Sequence, residues 1–234
     1  MSKKKVLITG AGGRIGSVIT PMLSNTYNLR LLDTMKLKPH KKEEIVTGDI
    51  RDSAFLKSAM EDVDAIIHLA AIPDEDDFYT KLMPINIEGT YTLLETARRC
   101  GVKKVVLAST CQIAFGYPNS TFVTTDMAVR PVNLYSCTKI FGEAVGRYYS
   151  DKFGMSVICL RIGYFQNYDS EFLQDSEVRK KWCSPKDLVQ IIEKSIDSKL
   201  KYGVFFAISN NKDRVWDIED AKQKLNYDPV DGTQ

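Results

Sequence analysis

Tyr135 and Lys139 stand four residues apart in the segment Asn133-Leu-Tyr-Ser-Cys-Thr-Lys139. On a helix that spacing puts both side chains on one face. A free phenol titrates near about 10 and is a poor base at neutral pH. An ammonium one turn away stabilises phenolate and lowers that value. Such a tyrosine can take a proton from a hydroxyl while a hydride leaves the same carbon. A third group should hydrogen-bond the reacting oxygen and help hold its developing charge. The stretch Ala108-Ser109-Thr110-Cys111-Gln112 offers hydroxyls for that purpose.

A departing hydride needs an acceptor, and the amino-terminal stretch offers a place for one. Val6-Leu-Ile-Thr-Gly10 reads as a strand and runs directly into Gly10-Ala-Gly-Gly13-Arg-Ile-Gly16. Glycines there allow a tight turn and close approach to a pyrophosphate, and the following helix would add free N–H groups and a favourable dipole. Arg14 and Ile15 lie inside this turn and are expected among its cofactor contacts. Asp33 closes the second predicted strand about twenty residues past the glycines, where an acid can bind the adenine ribose hydroxyls. A carboxylate there would repel a 2′-phosphate, which favours NAD over NADP. The nearby Lys36, Lys38, Lys41 and Lys42 read as a solvated loop. Asp49 and Ile50 are placed to flank the adenine. Ala70 and Ala71 are small enough to let the cofactor pass close by, and Ile162 ends the sixth strand on the same side.

The elements that must position these groups follow from the hydrophobic pattern. Strands are predicted at Val6–Gly10, Leu29–Asp33, Glu44–Asp49, Asp64–Ala70, Lys104–Thr110, Ser156–Ile162 and Val204–Ser209. Most are Val-, Ile- and Leu-rich with little alternation, as expected for strands buried on both faces. Helices are predicted at Arg14–Ser24, Ser53–Glu61, Tyr79–Cys100, Val132–Phe153, Pro185–Ser198 and Asp217–Leu225. Ser53 and Ser184 read as N-caps, and Gly101 and Gly154 as stops. Strand–helix alternation implies an α/β fold, a doubly wound, mostly parallel sheet that binds ligands at the carboxyl ends of its strands. The whole chain, 1–234, is expected to be one domain. Three irregular segments, 71–77, 111–130 and 163–183, should rise over the same crevice. The last is expected to be a substrate loop, and 184–234 a small carboxyl-terminal extension beside it.

Tyr-x-x-x-Lys occurs a second time, at Tyr148 and Lys152. The pairs are thirteen residues apart, roughly 20 Å along one helix. Only the first, at the helix amino end, can face the crevice. The second reads as a surface or packing pair.

Bulk properties narrow the alternatives. A chain of 234 residues suffices for one large α/β domain with a full core. The net charge of +2 gives no electrostatic reason to expect nucleic acid. Lys3-Lys4-Lys5 followed by an apolar run faintly suggests a secretion signal, but glycines and Arg14 interrupt it too soon, and a cytoplasmic first strand is the better reading. No run is long enough to span a membrane. Cys100, Cys111, Cys137, Cys159 and Cys183 match no zinc spacing, so no metal is expected, and an odd number reads as reduced thiols. With only His40 and His68 present, Ser-His-Asp hydrolysis is nearly excluded. His68, within Ile66-Ile-His-Leu-Ala70, reads as a hydrogen-bonded structural histidine.

Taken in this order, the motifs resemble the extended short-chain dehydrogenase/reductase family of NAD-dependent epimerases, dehydratases and dehydrogenases. The resemblance covers nearly the whole chain and implies its Rossmann fold. It makes Gly10, Gly13 and Gly16 the glycine motif, Asp33 the ribose acid and Asp49-Ile50 the adenine pair. Tyr135 and Lys139 match the catalytic pair and also contact cofactor. Asn86, in Asn-Ile-Glu-Gly-Thr90, matches a helix asparagine that supports the active site. Counting back from Tyr135 by the family spacing selects Thr110 as the catalytic hydroxyl. Within the family, Leu134–Glu143, Tyr149–Gly154 and Leu160–Gly163 look most like uronate dehydrogenases and related archaeal sugar dehydrogenases, which oxidise C1 of a cyclic aldose to a lactone.

That resemblance implies an NAD-dependent sugar dehydrogenase acting on an aldose, uronate or sugar phosphate. The alternative is a nucleotide-sugar epimerase with tightly bound NAD. Cys111-Gln112 cannot supply the acid/base pair of the sugar dehydratases. Cys111, Gln112, Tyr164 and Arg179 are the expected substrate contacts, Arg179 as an anion clamp that falls out of the family's register. A homodimer or higher oligomer is expected, because helices such as Tyr79–Cys100 and Val132–Phe153 form a four-helix bundle with a partner's in this family.

Overall fold

The computed structural model describes residues 3–233. Nine strands are interspersed with helices among these residues. Five strands open the chain: β1 (Lys5–Thr9), β2 (Asn28–Asp33), β3 (Glu44–Thr47), β4 (Ala65–His68) and β5 (Lys104–Thr110). The chain continues with β6 (Ser156–Ile162), the short β7 (Tyr164–Phe165) and β8 (Trp182–Cys183), and β9 (Tyr202–Ala207). Seven of them form one parallel sheet in the order β3-β2-β1-β4-β5-β6-β9. The chain winds one way from β1 through β3 and the other way from β4 onward. The strand order therefore reverses between β1 and β4, and a crevice opens at their carboxyl ends.

The helices are, in chain order, α1 (Arg14–Leu23), α2 (Ser53–Ala59), α3 (Thr90–Arg99), α4 (Leu134–Phe153), α5 (Ser176–Lys180), α6 (Pro185–Asp197) and α7 (Glu219–Leu225). The pleat explains the two cores. Val6 and Ile8 face the side holding Ile19, Leu23, Leu188 and Ile192, whereas Leu7 faces the side holding Leu56, Leu93, Leu94 and Tyr149. Each such side chain, nearly removed from water, stabilises the fold by roughly 1.5–3 kcal/mol. A third cluster, around Cys111, Ile113, Phe206 and Trp216, closes the floor under the segment that follows β5.

Several boundaries differ from the sequence reading. β3 stops at Thr47 rather than Asp49, because Gly48 N–H takes the last carbonyl of β2, Asp33 O (3.0 Å). β4 stops at His68 rather than Ala70, because Gly10 turns away with φ +69° and leaves Ala70 only the Thr9 hydroxyl (3.4 Å). The cap of α2 is Asp52, not Ser53: its Oδ1 accepts from Ala54 and Phe55 N–H at 2.9 and 3.0 Å. The predicted helix over 79–100 is a π-helical stretch, Phe78–Gly89 with Pro84 inside it, that runs into α3. α4 starts two residues late, since Asn133 Oδ1 caps Ser136 N–H (2.8 Å). The segment 163–183 is not irregular. β7 pairs with β8, and a 3-10 turn, Glu171–Gln174, and α5 lie between them.

Ser184 does cap α6, accepting from Asp187 N–H (3.1 Å), and Gly154 ends α4 with φ +71°. Among the described residues no helix is long and apolar enough to cross a membrane.

Candidate active site

The crevice has two connected ends. One, of about 280 Å³, lies over β1, β2 and β4 and is lined by Asp33, Met35, Asp49, Ile50, Ala70 and Ile85 among others. The other, of about 270 Å³, runs from the glycine turn to the ends of β5 and β6. Gly10 and Gly13 line both.

The glycine turn fits a dinucleotide. A Cβ on Gly10 would meet Ala70 N at 2.6 Å and one on Gly16 would meet Gly10 O at 2.5 Å, so both glycines are required for packing. At Gly13 a Cβ would meet only Gly10 O, at 3.2 Å, and this residue faces the open cradle. No side chain caps α1. Its first-turn N–H groups, with Arg14 and Ile15 beside them, are available to an anion. Asp33 holds the turn from below: Oδ2 accepts from Gly12 N–H (2.8 Å) and Oδ1 from Met35 N–H (3.0 Å). Both oxygens keep lone pairs for a ribose. Asp49 pairs with Arg51 (2.5 Å), which holds its carboxyl below the usual range.

At the other end α4 presents Tyr135 and Lys139 to the crevice, opposite Thr110, Tyr164 and Ile162. Lys139 Nζ lies 5.7 Å from the Tyr135 ring centroid and donates to Ala108 O (3.1 Å). Burial lowers its pKa to about 8. Burial raises the Tyr135 phenol, with Asp74 and Cys111 adding to it, while the Thr110 hydroxyl and Arg14 pull the other way.

A buried ion pair fixes α4 against the sheet. Arg161 on β6 donates from Nη2 and Nε to Glu143 on α4, at 2.9 and 3.0 Å. Ser109 on β5 donates its hydroxyl to the same carboxylate (2.6 Å). Ser109 is thereby occupied, and Thr110, the next residue, is the hydroxyl left at the crevice. Asn86 does not line the crevice, and its contact is with other protein groups. It brackets Ile72 through both N–H (2.8 Å) and carbonyl (3.1 Å), and donates to Thr138 Oγ1 (3.0 Å). It ties the 71–77 loop to α4.

Two expected substrate contacts lie elsewhere. Cys111 is buried in the third cluster, because the turn Cys111–Ala114 points it into the floor and leaves Gln112 in the crevice. Arg179 is exposed on α5 and does not line the crevice. Its neighbour Lys181 is turned inward over the Phe115 and Trp216 rings, at 4.9 and 5.7 Å. His68 is buried between Thr9 Oγ1 (2.7 Å) and Thr90 Oγ1 (3.1 Å), and burial holds its pKa at about 3. It is a neutral structural group. Tyr148 is exposed, edge-on to Tyr149 and Phe153, far along α4 from Tyr135.

The structure also places Asp74, Pro73, Phe165 and Gln166 at the crevice wall. No spacing rule singles out Asp74; the signal is its left-handed backbone, φ +62°, visible only in three dimensions.

A family model described as the NAD dependent epimerase/dehydratase family matches residues 6–168. An NAD-dependent glucose-6-phosphate dehydrogenase of Haloferax volcanii is 32% identical, over 97% of this chain and 94% of that protein. An L-arabinose 1-dehydrogenase (NAD(P)(+)) of the same organism is 30% identical, over 98% of this chain and 97% of that protein. A solved structure of a mutant uronate dehydrogenase from Agrobacterium tumefaciens, complexed with NAD, superposes with a TM-score of 0.88 at 31% identity. It covers 99% of this chain and 86% of that one.

Proposed function

Since the chain belongs to the NAD dependent epimerase/dehydratase family, we propose that it is an NAD-dependent sugar dehydrogenase oxidising C1 of a cyclic aldose to a lactone. The observation that carries this reading is one crevice with a glycine turn at one end and Tyr135, Lys139 and Thr110 at the other.

Gly10, Gly13, Arg14, Ile15 and Gly16 would hold the pyrophosphate, Asp33 the adenine ribose, and Asp49, Ile50, Ala70 and Ala71 the adenine pocket. Ile162 and Lys139 would flank the nicotinamide end. When bound, NAD would supply the hydride acceptor and a positive charge on its nicotinamide. Tyr135 takes the proton of the C1 hydroxyl as phenolate. Lys139, one turn on, stabilises that phenolate, and its lowered pKa lets the two groups share a proton near neutrality. Thr110 hydrogen-bonds the same oxygen and fixes its distance from the phenol. Asn86, through Thr138 and the Tyr135 carbonyl (2.7 Å), keeps the start of α4 in place. The segment 163–183 serves as the substrate loop, with polar contacts from its Tyr164 and from Gln112 in the turn after β5.

A homodimer is part of this reading. Tyr79, Tyr91, Tyr148 and Phe153 are large, exposed and carried by the π-helical stretch, α3 and α4. Such surfaces suit contact with a second copy. Five unpaired thiols favour the cytoplasm as its compartment.

The test is a panel of aldoses, uronates and sugar phosphates incubated with NAD, read by NADH absorbance. NADH from at least one sugar is expected. A folded, NAD-binding protein that forms none across the panel would end the dehydrogenase reading.

A further inference from the structure

Three charged side chains line the Tyr135 end of the crevice: Arg14, Lys139 and Asp74. Arg14 belongs to the glycine turn at the cofactor end. Lys139 is folded beneath Tyr135 onto the Ala108 carbonyl (3.1 Å). Asp74 alone stands on the wall where a sugar would lie.

The loop carrying Asp74 is held firmly. Gln112 Nε2 donates to Asp74 Oδ1 across a long 3.4 Å, and Gln112 Oε1 accepts from Asn133 Nδ2 (2.8 Å). The next side chain, Glu75, accepts from Leu134 N–H (3.0 Å) at the start of α4. These contacts fix Asp74 beside the turn of helix that carries Tyr135. Burial raises the Tyr135 and Tyr164 phenols, and the charge of Asp74 adds to both.

The cations nearest this end are engaged or turned away. Lys180 is bonded to Glu177 (2.7 Å), Lys181 lies over the Phe115 and Trp216 rings, and Arg179 is exposed outside the crevice. A carboxylate or phosphate on the sugar would therefore meet Asp74, since the two lining cations of this end, Arg14 and Lys139, belong to the glycine turn and to the Ala108 carbonyl contact. A neutral ring hydroxyl meets an ionised carboxylate, which only accepts hydrogen bonds.

We propose that the substrate is a neutral aldose, that one of its hydroxyls donates to Asp74, and that Asp74 is the specificity residue disfavouring uronates and sugar phosphates. This deepens the dehydrogenase reading and rests on it.

The test compares sugars that differ only at C6: glucose with glucuronate and glucose 6-phosphate, and galactose with galacturonate. Wild type should favour the neutral member in kcat/KM by about tenfold or more, the scale of one partly screened like-charge contact. Asp74→Asn should shrink that preference about tenfold, chiefly by lowering KM for the acidic sugar. Asparagine tolerates the left-handed backbone, so the loop should keep its shape. A wild-type preference for the acidic member, or a ratio untouched by Asp74→Asn, overturns the proposal. Calorimetric binding of the same pairs to the NADH complex separates the two readings. If no sugar is oxidised but neutral sugars still bind better and Asp74→Asn evens them out, the dehydrogenase reading fails and the role of Asp74 stands. If neither member binds, both fall.

Discussion

At the residue scale the chemistry turns on a phenol that burial and Asp74 push upward and a lysine that burial pulls down to about 8. The two share a face of α4, and in the proposed mechanism loss of one proton from the pair leaves phenolate beside ammonium or its tautomer. Oxidation needs that proton-poor form. kcat/KM for sugar oxidation should therefore rise with pH through a limb at or below about 8, the positive nicotinamide moving it downward. A pH–rate profile from 5 to 10 checks this; a rate that falls over that range contradicts Tyr135 as base. The places of Gly10, Gly13, Asp33, Tyr135 and Lys139 on the crevice were legible in sequence because each depends on local geometry: a tight turn, a strand end, one helical turn. Cys111 and Arg179 were not. The turn after β5 decides which of Cys111 and Gln112 faces inward, and Arg179 sits on a short helix that leaves it in water. Asp74 carried no spacing signal, because its position comes from a left-handed backbone and from contacts with Gln112 and α4.

At the element scale the sheet strands were readable because parallel strands buried on both faces leave nearly continuous apolar runs. Their ends were less readable, since a ladder stops where its neighbour stops, as at Thr47 and His68. The two-residue strands β7 and β8 carry no periodicity at all, which is why 163–183 reads as a loop. What holds α4 in register with β5 and β6 is the Glu143 carboxylate, shared by Arg161 and Ser109. Both members of the ion pair are more than nine-tenths buried. Glu143→Ala strands the Arg161 guanidinium and should cost about 3–5 kcal/mol. The melting midpoint should drop by roughly 6–20 °C. Thermal unfolding followed by circular dichroism is the measurement; a shift within a degree would show that α4 is held by packing alone.

At the scale of the whole molecule, strand order places the two ends of the crevice side by side. The reversal between β1 and β4 brings the glycine turn against the ends of β5 and β6, where α4 delivers Tyr135. The doubly wound architecture was legible from strand–helix alternation; the strand order was not. The assembly is a separate matter, and the exposed aromatic faces of α3 and α4 set the expectation: sedimentation should give a homodimer at micromolar concentration, and a concentration-independent monomer would refute it. The central claim is that Tyr135 is the base of a sugar dehydrogenase using NAD, and it is tested most directly by Tyr135→Phe assayed beside Tyr148→Phe on the best sugar of the panel. Tyr135→Phe removes the proton acceptor and leaves the cofactor cradle intact, so NADH formation should fall by at least about a hundredfold, with NAD binding nearly unchanged. Tyr148→Phe, exposed at the far end of α4, should retain wild-type turnover. Full activity in Tyr135→Phe, or its loss in Tyr148→Phe alone, would contradict this assignment.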